Sequence, residues 1–226
     1  MNLKRIAAEE AVKFIKNNTS VGFGDGSTIA YMVEFLKEEN LNLLLYTSSD
    51  STKKILEQSG FSVNDFSAIH SLDIYFDGCD QFDKNLNALK SGSGIHTTEK
   101  LLASMAKQFI LVCDESKYVE ELETKFPVVI EVIPAAVKFV QYKIKELFTD
   151  AKTQIRYKNN EPVITKYSNQ LIDIWFDIFP ELSILNFLLK NITGVLETSL
   201  FYNLASKAIL AGADGIRILE KSKHEQ

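Results

Sequence analysis

Leu72-Asp73-Ile74-Tyr75-Phe76 runs directly into Asp77-Gly78-Cys79-Asp80, and further on Phe109-Ile110-Leu111-Val112-Cys113 runs into Asp114-Glu115-Ser116-Lys117. Both begin as short apolar runs with aromatic or β-branched members, the pattern of buried strands, and both end abruptly in charged residues. Between them Leu101, Leu102, Met105 and Ala106 recur at helical spacing, with Thr97 or Thr98 as the expected N-cap and Glu99 in the first turn. Strand, helix and strand in this order predict neighbouring parallel strands whose carboxyl ends carry Asp77, Asp80, Asp114 and Lys117. In an open α/β sheet that edge is where ligands bind.

Working outward, the alternation continues. Leu3, Ile6, Ala7, Ala11, Phe14 and Ile15 mark an amphipathic first helix, and strands are expected near residues 20–23, 41–46, 73–76 and 109–113, with helices between them. This is a Rossmann-like α/β pattern with a parallel sheet. After residue 127 the order changes: strands at 128–133 and 171–176 and helices at 135–147 and 181–189 predict a small inserted α+β domain over residues 128–203. Strands near 208–210 and 215–219 then return to the main sheet, giving a main domain of residues 1–127 and 204–226. Asn159-Asn160-Glu161-Pro162 reads as a turn, and residues 220–226 as a frayed end.

A second constellation precedes the first. In Val21-Gly22-Phe23-Gly24-Asp25-Gly26-Ser27-Thr28, alternating glycines follow a short strand and precede a helix with Ile29, Met32, Val33 and Leu36 on one side. Such a loop offers backbone N–H groups to an anion, and the Ser27 and Thr28 hydroxyls suit a phosphate monoester. No Lys follows the last glycine and the GxGxxG register fails at residue 27, so neither a Walker loop nor a dinucleotide fingerprint is present. Asp25 repels a phosphate unless it turns aside to cap the helix. The charged groups of the central run, from Asp77 and Asp80 through Lys90 and Glu99 to Lys117, are equipment for moving a proton beside a carbonyl without a metal. A Glu in a first turn also meets the helix dipole favourably, which would explain Glu99 alone but not its company.

Taken together these blocks resemble the A-type ribose-5-phosphate isomerases. The resemblance rests on Gly22-Phe23-Gly24-Asp25-Gly26-Ser27-Thr28, Thr47-Ser48-Ser49-Asp50, Asp77-Gly78-Cys79-Asp80-Gln81, Lys90-Ser91-Gly92-Ser93, Thr98-Glu99-Lys100 and Asp114-Glu115-Ser116-Lys117, in order along nearly the whole chain. It implies Glu99 as the general base between C1 and C2 of an open-chain sugar phosphate, through a cis-enediolate. It implies Lys90, with the backbone of Ser91, Gly92 and Ser93, at the oxyanion. Asp77 and Asp80, with Gly78 and Cys79 between them, would meet the sugar hydroxyls. Asp25, Gly26, Ser27, Thr28 and Lys4 would surround the phosphate, and Lys117 would reach the substrate from the next strand end. No cofactor is implied, and a homodimer or homotetramer is. Asp25 stands in place of a Thr, Ser91 and Ser93 in place of glycines, Gln81 in place of a Glu and Thr98 in place of an Arg or Gln; all lie in or beside the site.

Size and composition agree with a soluble enzyme and say little more. With 226 residues, 46% of them hydrophobic, the chain can bury a sizeable core. A net charge of −5 and the lack of a basic cluster argue against a nucleic-acid surface. No apolar run has the length of a membrane span, and Glu9 and Glu10 after a short basic start do not make a signal peptide, so the cytoplasm is the expected location. Cys79 and Cys113 are expected to be buried, reduced and inert. His70, His96 and His224 lack metal spacing, so no metal is expected; His96 is expected as a solvated residue of a helix-entry loop, with the mouth of the site as the alternative. Trp175-Phe176 and Phe179-Pro180 are expected either at a subunit surface or inside the small domain. Three readings stand beside one another: the isomerase of ribose 5-phosphate and ribulose 5-phosphate, a related isomerase of altered specificity, and a sugar-phosphate-binding module without turnover.

Overall fold

The computed structural model describes residues 2–221. Six strands form the main sheet: β1 (Thr19–Phe23), β2 (Leu43–Thr47), β3 (Leu72–Asp77), β6 (Ala106–Asp114), β14 (Lys207–Gly212) and β15 (Gly215–Glu220). Their spatial order is β15-β14-β6-β3-β1-β2, parallel throughout except for the β14–β15 hairpin at one edge. β4 (Gln81–Phe82), β5 (Ala88–Leu89) and β13 (Leu200–Phe201) make a short three-stranded sheet beside the main one. β7 (Val128–Val132), β8 (Lys152–Ile155), β11 (Gln170–Trp175) and β12 (Val195–Thr198) make an antiparallel sheet, and β9 (Tyr157–Lys158) and β10 (Glu161–Pro162) a separate hairpin. The fold is α/β.

The helices are amphipathic and cover both faces of the main sheet. α1 (Leu3–Val12), α2 (Ser27–Leu36) and α3 (Asp50–Gln58) bury Ala7, Ala11, Ile29, Met32, Val33 and Leu56 against Val21, Phe23 and Phe76. α4 (His96–Met105) buries Leu102 and Ala103 on the opposite face, beside Tyr75, Phe109 and Phe201. α5 (Val137–Leu147) and α6 (Leu182–Lys190) pack on the antiparallel sheet through Val140, Ile144, Leu185 and Leu189. Among the described residues no helix is long and apolar enough to cross a membrane.

Strand order reverses at β1, which sends its crossover to β2 on one side while β3 pairs on the other. Loops leaving the carboxyl ends of β1 and β3 therefore diverge and open a crevice. Gly24 closes its floor: a Cβ there would fall 2.0 Å from the Asp77 carboxylate, so only glycine lets the two strand ends meet.

Several local expectations are corrected. α4 opens at His96 with Ile95 as N-cap and no side-chain cap, so Thr97 and Thr98 lie inside the helix, and Ala106 already begins β6. The hydroxyl of Thr97 is drawn instead to Glu131, from the antiparallel sheet. Glu220 ends a paired strand instead of a frayed tail, while residues 222–226 lie outside the described residues. Asn159 and Asn160 both have positive φ and turn the β9–β10 hairpin, with Glu161 and Pro162 in its second strand.

Candidate active site

A cleft of about 210 Å³ lies at the carboxyl ends of β1, β3 and β6. The sequence-predicted residues Lys4, Asp25, Gly26, Ser27, Thr28, Gly78, Cys79, Asp80, Lys90, Gly92, Ser93, Glu99 and Lys117 line it. Asp114, at the strand end where ligands are expected, lines it as well, together with Val112 and Cys113, to which the sequence gives no binding role. Asp77 and Ser91 stand just behind the wall. Ser91 is buried and donates its hydroxyl to the Pro127 carbonyl at 2.5 Å.

The centre is a buried charge triad. The Lys90 ammonium lies 2.9 Å from Asp77 Oδ2 and 3.3 Å from Glu99 Oε1, and donates to the Gly78 carbonyl at 2.7 Å. All three side chains are at least nine-tenths buried. Burial works against the Lys90 charge, but Asp77 and Glu99 outweigh it and raise the ammonium above its ordinary range. Burial pushes the Glu99 carboxyl up to about 8; Lys90 pulls down and Asp77 adds to the rise. Glu99 Oε2 has no protein partner.

Asp77 is saturated with donors. Its Oδ2 also accepts the Tyr75 hydroxyl at 2.8 Å, and its Oδ1 accepts the Gly78 N–H at 2.8 Å and the Asp25 N–H at 3.3 Å. With all its lone-pair directions engaged and none of its surface exposed, Asp77 faces Lys90 and not the cleft. Asp80 does face the cleft, and its Oδ2 accepts the N–H groups of Ser91 at 2.5 Å and Gly92 at 3.1 Å, which fixes the loop after Lys90.

The phosphate-type loop takes its shape from Gly26, the N-cap of α2, whose φ of 103° is strained for any side chain. The first turn of α2 thus keeps its N–H groups free of a side-chain cap, beside the hydroxyls of Ser27 and Thr28. Lys4 donates to Ser27 Oγ at 3.2 Å from α1. Asp25 does not cap α2. Its Oδ1 instead accepts the hydroxyls of Ser49 at 2.6 Å and Ser51 at 2.5 Å at the start of α3. Burial would raise this carboxyl, but the Ser49 and Ser51 hydroxyls and the Gly26 N–H hold it below its ordinary value, so it stays charged at neutral pH.

Glu99 and Lys90 come from different elements, and residues 197–201 tie those elements together. Lys90 N–H donates to the Ser199 carbonyl at 3.0 Å, and β5 pairs with β13 just before Lys90. Lys100, next to the proposed base, donates to Glu197 Oε1 at 2.9 Å, to Thr198 Oγ1 at 3.1 Å and to the Leu200 carbonyl at 2.8 Å. Burial lowers the Lys100 ammonium to about 8 against the pull of Glu197. His96 is fully buried with Nε2 against the Glu197 carbonyl, and burial lowers it to about 3, so the expected solvated loop histidine is a neutral core residue. Cys79 is only partly buried and Cys113 is buried; both are free thiols. Trp175 is partly exposed while Phe176 is buried against Phe148 and Phe179. Among the described residues no group of three or more His, Cys, Asp or Glu side chains is arranged to hold a metal ion.

Comparison with known proteins gives one consistent result. The family model of ribose 5-phosphate isomerase A (phosphoriboisomerase A) matches residues 44–215. The chain is 39% identical over 224 residues to ribose-5-phosphate isomerase A of Bacillus cereus, covering 97% of this chain and all of the relative. It is 35% identical over 223 residues to that of Methanothermobacter thermautotrophicus, covering 97% and 98%. Among solved structures, ribose 5-phosphate isomerase A of Methanocaldococcus jannaschii superposes with a TM-score of 0.89 at 32% identity, covering 97% of this chain and 99% of that one. A D-ribose-5-phosphate isomerase in complex with phospho-erythronic acid also gives 0.89, at 33% identity and 97% and 100% coverage.

Proposed function

The chain belongs to the ribose 5-phosphate isomerase A family, and from that premise we propose that it interconverts D-ribose 5-phosphate and D-ribulose 5-phosphate with Glu99 as the proton-carrying base. It is an isomerase. The observation that carries the assignment of the base is the pairing of Glu99 with Lys90 at 3.3 Å on the cleft wall, with the Glu99 carboxyl pushed up to about 8.

A proton α to a carbonyl is too weakly acidic for an ordinary carboxylate unless the developing enolate is stabilised. Here burial makes Glu99 more basic, and Lys90 supplies the positive charge beside it. Starting from the aldose, Glu99 takes the proton from C2, and negative charge moves onto the carbonyl oxygen at C1 under Lys90 and the N–H groups of the 91–93 loop. Return of the same proton to C1, with transfer of the hydroxyl proton from O2 to O1, completes the ketose. Asp80 faces the sugar hydroxyls. Asp77 acts through Lys90 as a positioning residue, since its lone pairs are taken by protein donors. Ser27, Thr28, the first turn of α2 and Lys4 take the phosphate, and Lys117 approaches from the end of β6.

The test is direct: Glu99→Gln keeps shape and hydrogen-bonding capacity but removes the base, so it should bind ribose 5-phosphate and turn over at least about a hundredfold more slowly. Near-native turnover in this variant would sink the mechanism. Asp25 favours a second reading, a related sugar or sugar phosphate held differently, because a carboxylate that stays charged lines the phosphate end of the cleft. A lower KM for another aldose or aldose phosphate than for ribose 5-phosphate would select it. Assembly as a homodimer or homotetramer in the cytoplasm is part of the proposal. The exposed Ile178, Ile184 and Phe187 support it, and sedimentation of the purified protein as a monomer would remove it.

A further inference from the structure

The chain has two cysteines, and they meet. β3 and β6 run parallel with Asp77 beside Leu111, so two residues further on Cys79 comes beside Cys113, and their Sγ atoms are 3.5 Å apart. The last register pair, Asp77 with Leu111, lies two residues before both cysteines, and paired strands hold their Cα atoms about 5 Å apart, inside the range of about 4.4–6.8 Å that a disulfide spans. Cys79 lies past the last residue of β3 and follows Gly78, so its backbone is free of the ladder and can close the remaining gap. Both cysteines line the cleft, with Cys79 the more exposed.

We propose that Cys79 and Cys113 are a reversible disulfide site, closed by hydrogen peroxide, that switches the cleft off. The Cys79 thiolate attacks a peroxide oxygen; the O–O bond breaks, Cys79 becomes a sulfenic acid, and the departing oxygen leaves as water after taking up the thiol proton. The Cys113 sulfur then attacks Cys79 Sγ, the S–S bond forms, the S–O bond breaks, and hydroxide leaves as water with the Cys113 proton. Two thiols are oxidised by two electrons in all, and one peroxide is reduced to two waters. Burial pushes the Cys79 thiol well up, so this is a slow response to sustained oxidant and not a fast peroxide sensor.

Closure reaches the chemistry through the neighbours of Cys79. The Gly78 carbonyl accepts from Lys90 at 2.7 Å, and Asp80 holds the N–H groups of Ser91 and Gly92. Shortening the sulfur contact from 3.5 Å to a bond of about 2.05 Å shifts the 78–80 loop relative to both sets of partners.

The experiment exposes the full chain to excess hydrogen peroxide for hours. Remaining thiols are then alkylated, and linked peptides are mapped without reduction. Ribose 5-phosphate turnover is measured before exposure, after it, and after dithiothreitol, each protein being referred to its own untreated rate. The expected result is a Cys79–Cys113 linked peptide with loss of two hydrogens, at least about a tenfold fall in turnover, and recovery with dithiothreitol. Cys113→Ser should give no linked peptide and a loss that dithiothreitol recovers only in small part, because a Cys79 sulfenic acid without its resolving thiol oxidises further. Two alkylatable thiols after exposure, a linked peptide with unchanged turnover, or an equal and equally reversible loss in Cys113→Ser would each overturn the proposal. The activity arm rests on the isomerase reading. An untreated protein without turnover would refute that reading alone, and peptide mapping would still decide whether the disulfide forms.

Discussion

Asp77→Asn removes one charge from the buried triad and keeps its shape, so its effect on Glu99 can be sized. The two carboxylate oxygens lie 2.9 and 3.3 Å from the same Lys90 nitrogen, which puts them at most about 6.2 Å apart. At that separation two unit charges in an effective dielectric of about 20 repel by about 3 kcal/mol, equivalent to about two pH units on a carboxyl group. A protonated Glu99 has no basic oxygen for the C2 proton, so native kcat/KM should climb with pH and level off near the carboxyl's value of about 8. In Asp77→Asn that limb should move down by about one to two pH units, whatever happens to the plateau. Lys90→Ala should move it up, because the charge that pulls Glu99 down is gone. Initial rates with ribose 5-phosphate across the limb measure this; the substrate phosphate titrates near pH 6 in every variant and cancels in the comparison. A limb that stays in place or rises in Asp77→Asn would refute the electrostatic account of the base.

Four further outcomes are expected. Lys90→Ala should lose on the order of a hundredfold in kcat, the effect of removing an oxyanion donor worth about 3 kcal/mol; a loss below about threefold would take Lys90 out of that role. A carboxyl held above its ordinary range binds its proton more tightly in the folded state. It therefore costs stability as pH rises from 4.5 to about 8, and the Tm advantage of Glu99→Gln over the native protein should widen across that window in calorimetry. A constant or narrowing difference would contradict the raised carboxyl. The double substitution Ser49→Ala with Ser51→Ala frees the Asp25 carboxylate, and KM should rise roughly fivefold with kcat little changed, the equivalent of about 1 kcal/mol of repulsion; an unchanged KM would separate Asp25 from the phosphate. Lys100→Met keeps the buried stem but cuts the tie to residues 197–200, so kcat should fall on the order of tenfold with KM near native, and Lys100→Arg should restore part of it. A Lys100→Met enzyme with native kcat would remove that tie from the catalytic geometry.

The strand-end chemistry was legible because each charged residue directly follows an apolar run: Asp77 closes β3, Asp114 closes β6, and the glycine loop follows β1. What escaped sequence reading depends on partners far along the chain. β4, β5 and β13 have two residues each, too few to show a period, and β13 pairs with residues 88–89 from positions 200–201. His96 was expected in a solvated loop, but its environment is set by Glu197 in another sheet. Thr97 and Thr98 carry the right chemistry for an N-cap, yet Thr97 is taken up by Glu131 and the cap falls on Ile95, two residues before Thr97. Asp25 could be recognised as misplaced in a phosphate loop, but not where it turns, because Ser49 and Ser51 meet it only through the β1–β2 crossover. Tyr75 reads as an ordinary strand aromatic until its hydroxyl is found on Asp77.

The triad also accounts for how the proposed base keeps its basicity so close to a lysine. Lys90 alone would stabilise the Glu99 carboxylate and make it a poor proton acceptor, and without Lys90 the enediolate would have no counter-charge. Asp77 resolves the conflict by compensating most of the Lys90 charge in the resting state, so burial keeps Glu99 basic while the ammonium stays at the wall of the cleft. In the proposed mechanism Glu99 becomes neutral on taking the C2 proton, and the negative charge it gives up reappears on the substrate oxygen beside the same ammonium. The net charge around Lys90 is the same before and after the step. Lys90 is fixed through Ser199, and the helix of Glu99 through Lys100 and Glu197, so the charge moves between positions already solvated by the protein. On the proposed mechanism such a site would lower the barrier by holding its dipoles in place, and both groups are braced from one short segment, residues 197–201.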